Sequence, residues 1–208
     1  MYKCLDLFCG GGGASMGIHQ AGFEVVGLDL NPQPEYPFEF IRGSALALSQ
    51  GFLKSFDFIW ASPPCQAFSV AAARWKSKKQ YPDLVDPVRK MLLESGVPFI
   101  IENVAGAPIQ KDLMLCGEMF GLKVIRHRYF ELNKIRVKQP PHKKHRGSPK
   151  TGEYVTCAGH GGDGSNRRED WQKAMKIHWI NNKKTLAQCI PPKYSRYIFE
   201  NMEVLENV

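Results

Sequence analysis

The chain has 208 residues, 43% apolar and 23% charged, with a net charge of +8; this globular composition supports one substantial core and a small appended lobe, but hardly two full domains. No apolar run approaches the roughly 20 residues needed to cross a bilayer, and Met1-Tyr-Lys-Cys-Leu-Asp reads as a strand carrying an acid rather than a signal peptide, so a cytoplasmic protein without a membrane partner is expected. The six cysteines are scattered with no CxxC pair, which argues against a disulfide framework and a zinc ribbon.

Lys3–Phe8 is a short apolar run ending in glycines, 14–21 has helical character, and Glu24–Leu30 is a second apolar run. Strand, Gly-rich turn, helix and strand make a βαβ unit. Further strands are predicted at 56–61, 97–102 and 123–130, with helices at 46–52, 83–95 and 110–120. This alternation implies an α/β fold with a parallel, doubly wound sheet. After residue 130 the pattern changes. Gln139-Pro-Pro-His-Lys-Lys-His-Arg-Gly is a basic, Pro-containing connection, and 156–164 is rich in glycine. A helix resumes around 171–177, and another follows Ile190-Pro-Pro to about 202, since proline is tolerated in a first turn. The expected organisation is a main domain over 1–130, a small irregular lobe over 131–185, and a final segment, 186–208, returning to the main domain.

Charge follows the same division. Residues 1–130 carry 13 Lys+Arg against 12 Asp+Glu, whereas 131–208 carry 15 against 8. Segregated positive charge suits a polyanion such as nucleic acid, although a solvated basic tail has the same composition.

Four segments carry chemistry. Asp6-Leu-Phe-Cys-Gly-Gly-Gly-Gly lies directly after the first strand, where glycines let backbone amides approach a ligand, and Asp29 closes the second strand, a common place for an acid that binds ribose hydroxyls. Ser62-Pro-Pro-Cys-Gln puts Cys65 on a rigid turn at the carboxyl end of a strand. Ile101-Glu-Asn-Val brings the Glu102 carboxyl to the same edge, in a position to deliver a proton. Arg126-His-Arg alternates, so Arg126 and Arg128 are expected on one face of a strand, where two guanidiniums bind a carbonyl or phosphate.

In this order the segments resemble the DNA cytosine-5 methyltransferase family over about residues 4–130, and more loosely in the final helix. Phe8 with Gly10, Gly12 and Gly13 resembles the cofactor loop, Pro64-Cys65-Gln66 the nucleophile motif, Glu102-Asn103-Val104 the proton-donor motif, and Arg126/Arg128 the arginine pair. The resemblance implies a Rossmann-like sheet that uses S-adenosylmethionine, bound by Asp6, Phe8, Gly10, Gly12, Gly13, Asp29, Leu30, Ser44 and Pro63. It further implies that Cys65 adds to C6 of a flipped-out cytosine while Glu102 serves N3, Arg128 holds O2 and Arg126 supports the site. The stretch 68–82 resembles the family's substrate-closing loop. Gln66, Ser69, Arg74, Lys76, Lys78 and Lys79, around Trp75, are expected to meet double-stranded DNA, together with Lys143, Lys144 and Arg146 of the lobe.

Three departures stand out. Ser44 occupies the position where the family usually carries an acid for the adenine amino group, the C-terminal Gly-Asn motif is missing, and the lobe is much shorter than a typical target-recognition domain. The short lobe implies a short or relaxed target, and the minimal length and C-terminal pattern resemble small phage and prophage members of the family; a monomer of restriction-modification character is expected. Open alternatives are the same chemistry on RNA, a donor group other than methyl, and a catalytically silent DNA-binding relative. No metal is expected. His142, His145, Cys157 and His160 have a spacing compatible with zinc, but histidines in a basic loop more often meet solvent or phosphate.

Overall fold

The computed structural model describes residues 1–65, 83–157 and 167–205. Among these residues the first strand, β1 (Lys3–Leu7), leads through a glycine turn into α1 (Gly13–Gln20) and β2 (Glu24–Asp29); β3 (Glu39–Arg42), α2 (Gln50–Leu53) and β4 (Phe58–Ala61) follow. Next come α3 (Val85–Ser95), β5 (Phe99–Asn103), β6 (Leu113–Leu115) and β7 (Arg128–Asn133). One sheet of seven strands runs in the order β3-β2-β1-β4-β5-β7-β6. The five strands from β3 to β5 are mutually parallel, and β7 runs antiparallel to both β5 and β6.

Both faces are covered, as the near-continuous buried runs of the central strands require. Cys4, Val25, Phe58, Trp60, Ile100 and Phe130 point to one face, where they meet Ile18 of α1 and Tyr194, Ile198 and Phe199 of the C-terminal helix. Leu5, Leu7, Val26, Leu28, Ile59, Phe99 and Ile101 point to the other, against Leu53, Val85, Val88 and Leu92. The doubly wound α/β sheet expected from the sequence is present, with its carboxyl edge free to carry loops.

The remaining elements are β8 (Ile135–Val137), α4 (Arg168–Met175), α5 (Lys183–Gln188), α6 (Pro192–Asn201) and β9 (Met202–Val204). β8 pairs with β9 in a separate two-stranded ribbon. Cys157, Trp171, Met175, Ile180 and Leu186 join the apolar cluster beneath α1 and α6, and the boundary expected at residue 130 falls inside β7. The close contact of α1 with α6 depends on Gly17: a Cβ there would lie 2.0 Å from the Pro192 carbonyl oxygen, so only glycine lets the helices approach this far. Ser195 Oγ fastens the pair by donating to the Ala14 carbonyl at 2.7 Å.

Two expected elements differ. The helix expected over 110–120 is strand β6 followed by a 3-10 turn over Gly117–Phe120: Leu113 and Leu115 are buried with Met114 between them, and pairing with β7 outweighs local helix preference. The strand expected over 123–130 begins only at Arg128. Among the described residues no helix is long and apolar enough to cross a membrane.

Candidate active site at the carboxyl edge of the sheet

The first turn is built around an unusual backbone. Phe8 has φ 61 and Gly10 φ 49; a phenylalanine in the left-handed region costs about 1 kcal/mol, offset here by the hydrogen bonds that hold the loop. Cys9 N donates to the Leu28 carbonyl at 3.2 Å. Asp29 accepts Gly10 N through Oδ2 at 3.1 Å and Asn31 N through Oδ1 at 2.9 Å, so one carboxylate ties the glycine turn to the end of β2. A Cβ on Gly10 would meet nothing within 4 Å, which marks open space in front of that backbone. A Cβ on Gly12 would press on Tyr36 and Pro37 at 3.0 Å, and one on Gly13 would lie 2.4 Å from the Ile190 carbonyl oxygen. Both glycines thus also let the turn pack closely against its neighbours.

Asp6 lies behind this loop, 1% exposed. Tyr36 donates to Ser15 Oγ at 2.8 Å, and Ser15 Oγ in turn donates to Asp6 Oδ2. Oδ1 of Asp6 has no hydrogen-bond partner among the described residues. Burial pushes the carboxyl up to about 7, with the Asp29 and Glu102 charges adding to the rise and the Ser15 contact opposing it. Leu30, beside Asp29, is 66% exposed, and Leu46 is exposed just past the exposed Ser44 at the end of β3.

Cys65 follows β4 by way of Ser62, Pro63 and Pro64. Trp60 Nε1 donates to Ser62 Oγ at 2.8 Å, and Asn103 Nδ2 donates to the Pro63 carbonyl at 3.0 Å. Asn103 is almost wholly buried and its Oδ1 accepts Val104 N, so the end of β5 fixes the turn that carries the thiol. Glu102, one residue earlier on β5, is 7% exposed, and its Oε1 accepts Arg128 Nε at 2.9 Å in an ion pair. Burial first, then the Glu102 carboxylate, push the half-buried Cys65 thiol up, while Arg128 and then Arg126 pull it back.

The arginines do not share a strand face. Arg128 opens β7, and its Nη1 donates to the His127 carbonyl. Arg126 precedes the strand and turns to the carbonyls of Cys157 and Ala187, both at 2.6 Å. Burial and the neighbouring Arg128 charge pull the Arg126 guanidinium down to about 10.

The profile of the family described as C-5 cytosine-specific DNA methylase matches residues 2–113, more than half of the chain. The chain belongs to this family. Its relatives include the type II methyltransferase M.HgiGI of Herpetosiphon aurantiacus, 34% identical over 122 residues that cover 52% of this chain and 95% of that protein. M.HgiDI of the same organism is 30% identical over 130 residues, 57% of this chain but 42% of the relative. Similar solved structures include a putative DNA modification methyltransferase encoded within an E. coli prophage, with 22% identity and a TM-score of 0.46 over 62% of this chain and 45% of that one. A DNMT2 mutant of Spodoptera frugiperda has 21% identity and a TM-score of 0.46, over 62% and 49%. The chain thus spans under half of M.HgiDI and about half of these structures.

As in other C-5 methylases, the sheet and its helices form an α/β, Rossmann-like methyltransferase fold, and the residues singled out from the sequence are divided along it. Asp6, Phe8, Gly10, Asp29, Leu30, Ser44, Pro63, Cys65 and Glu102 all lie at or just beyond the carboxyl ends of β1 to β5. Lys143, Lys144 and Arg146 are exposed on the connection after β8. Gln66, Ser69, Arg74, Lys76, Lys78 and Lys79 lie outside the described residues, as does His160. The positioning roles of Asn103, Ser15, Tyr36 and Tyr194, whose hydroxyl donates to the Arg126 carbonyl at 2.6 Å, had no sequence signal beyond their polar chemistry. Only Asn103 stood inside a motif.

Proposed function

We propose that this C-5 methylase transfers a methyl group from S-adenosylmethionine to C5 of a cytosine flipped out of double-stranded DNA, with Cys65 as nucleophile. The supporting observation is that one thiol, on a turn fixed by Asn103, lies within the electrostatic reach of a glutamate–arginine pair at the carboxyl edge of the sheet.

C5 of cytosine is a poor nucleophile. The Cys65 thiolate adds to C6, and electron density moves through the ring to C5. The Glu102–Arg128 pair uses Oε1 and Nε, and Nη1 of the arginine goes to the His127 carbonyl; Oε2 and Nη2 are the atoms offered to N3 and O2 of the base. Arg126, anchored to two carbonyls, supports Arg128 and favours the thiolate. After transfer, C5 loses its proton and the C6–S bond breaks, returning Cys65. A stacked base offers no approach to C6, so the cytosine leaves the duplex.

The residues fit a nucleoside cofactor. When bound, S-adenosylmethionine supplies an electrophilic methyl group. The open backbone at Gly10 admits a close ligand, and each Asp29 oxygen accepts one N–H and keeps a lone pair for a ribose hydroxyl. Exposed Leu30 offers an apolar surface for a base, and Ser44 a hydroxyl in place of an acid. Phe8 and Pro63 border the same edge, and Asp6 braces the loop from behind. The relatives named type II methyltransferases favour a modification enzyme, which on this reading acts as a monomer. Exposed Lys143, Lys144 and Arg146 serve DNA phosphate, together with the basic residues between 66 and 82.

Nucleoside mass spectrometry on DNA and RNA from cells expressing the wild type or Cys65→Ser tests the reading. New 5-methyldeoxycytidine that is absent with Cys65→Ser is expected. Methylcytidine in RNA alone moves the substrate to RNA, a different added mass changes the donor, and no new nucleoside from folded wild type overturns the proposal.

A further inference from the structure

Around His127, between the two arginines in sequence, four side chains converge that the methyl-transfer chemistry does not use. One ligand atom from each of Cys116, His127, His142 and His145 lies within 4.8 Å of the others. We propose that these residues bind one zinc ion, a structural site that fastens the basic connection to the edge of the catalytic sheet.

Distances support a four-coordinate ion. His145 Nε2 and His127 Nε2 are 3.3 Å apart, and two imidazole nitrogens on a tetrahedral zinc, each about 2.0–2.1 Å from the metal, are separated by about 3.3 Å. Cys116 Sγ lies 3.9 Å from His145 Nε2, against about 3.6 Å for a sulfur–nitrogen edge of such a tetrahedron. The remaining separations close by side-chain rotation, since His142 is exposed and His127 and His145 are half-buried. The three rings stand edge-on, with centroids 4.8 to 5.2 Å apart and planes inclined by 69 to 87°, so none is stacked flat upon another.

Chemistry selects the metal. One thiolate and three imidazoles suit zinc, whereas calcium and magnesium require oxygen donors. Glu118 Oε2 accepts His145 Nδ1 at 2.5 Å, leaving Nε2 with its lone pair toward the other ligands. A carboxylate behind a ligating histidine is the usual outer support of a zinc site. Zinc, the Cys116 thiolate and the Glu118 carboxylate together are neutral, which suits a site whose sulfur is fully buried.

The ligands come from distant parts of the chain. Cys116 directly follows β6, His127 directly precedes β7, and His142 and His145 flank Lys143 and Lys144. The ion therefore ties the basic connection to the sheet edge, beside the carbonyl that accepts Arg128 Nη1. Cys157, whose spacing from His142 and His145 is compatible with a shared zinc site, is not in the cluster; Cys116 and His127 join the two histidines instead.

The test uses the full chain without an affinity tag. Elemental analysis after dialysis is expected to find about one zinc per folded wild-type chain, and cobalt(II) in its place is expected to give intense tetrahedral bands with thiolate charge transfer. Cys116→Ser is expected to abolish the charge-transfer band and lower bound zinc at least fivefold; Cys157→Ser is expected to change neither. Should Cys116→Ser not fold, His142→Ala carries the test, since its ring is exposed, and is expected to lose zinc to a chelator that leaves the wild type loaded. Folded wild type with neither zinc nor tetrahedral cobalt overturns the proposal, as does metal content indifferent to both ligand variants. Neither readout depends on methyl transfer.

Discussion

Arg128 Nε lies 2.9 Å from Glu102 Oε1, so the two residues form one ion pair at the carboxyl edge of the sheet, with Cys65 inside its field. The partners act on the thiol with opposite signs. The carboxylate raises the thiol's pKa and the guanidinium lowers it, because a thiolate is repelled by one and stabilised by the other.

Removing each charge in turn therefore shifts the thiol in opposite directions. Alkylation of Cys65 by iodoacetamide, followed by mass spectrometry of the Cys65 peptide across pH, is expected to have its midpoint at lower pH in Glu102→Gln and at higher pH in Arg128→Ala. Shifts in the same direction would show that the pair does not set the thiolate population. In addition, Arg128→Ala strands a buried carboxylate and is expected to lower stability by about 3 kcal/mol, whereas Glu102→Gln keeps a hydrogen-bond acceptor and costs less.

Asp6 gives the fold a pH dependence of the opposite kind from that of a paired carboxylate. Its folded pKa, raised from 3.8 to about 7 by burial, means that the folded state holds the proton more tightly than the unfolded chain. The associated stability is fully present below pH 4, falls as pH rises, and is lost above about 7, a change on the order of 4 kcal/mol. Asp6→Asn removes the ionisation and keeps an oxygen to accept Ser15. In urea unfolding between pH 4.5 and 7.5, the variant is expected to gain on the wild type progressively as pH rises. A difference that stays constant with pH would refute the burial argument.

Local features were legible in the sequence, and assembled ones were not. The glycine turn after β1, Asp29 at the end of β2 and Pro63-Pro64 before Cys65 announce themselves because glycine, proline and a strand-ending acid act within a few residues. Arg126 and Arg128 were expected on one strand face because they alternate, yet β7 begins at Arg128 and Arg126 finds its partners 31 and 61 residues away. Residues 110–120 look helical in isolation, but the edge pairing of Leu113–Leu115 with β7 decides their form. Gly12 and Gly13 belong to a recognisable loop, and the close approach of Tyr36 and Ile190 to them comes from parts of the chain that the loop itself does not reveal. Cys116 and His127 join His142 and His145 solely through the return of the chain after β8.

Asn103 links β5 to the nucleophile turn through its hydrogen bond to the Pro63 carbonyl. Asn103→Ala leaves that buried carbonyl without this donor and is expected to cost about 1–2 kcal/mol of stability. Because the turn carries Cys65, the rate of methyl transfer is expected to fall about tenfold or more, with KM for the cofactor nearly unchanged. The alkylation midpoint of Cys65 should stay near that of the wild type, since no charge is removed. A changed KM with an unchanged rate would assign Asn103 to cofactor binding instead.

Asp29 offers a sharper test because both of its oxygens accept backbone N–H groups, from Gly10 and Asn31. An asparagine there is isosteric, but its amide nitrogen must face one of those two donors, with no acceptor between them. Asp29→Asn is therefore expected to open the glycine turn almost as fully as Asp29→Ala, whereas a residue that merely supplied charge to a ligand would tolerate the amide better. In calorimetry with S-adenosylhomocysteine, both variants are expected to bind at least tenfold more weakly than the wild type, a loss of about 1.4 kcal/mol or more. Binding by Asp29→Asn close to that of the wild type would mean that the loop holds its shape without the carboxylate, and that Gly10 owes its left-handed backbone to the turn's own geometry.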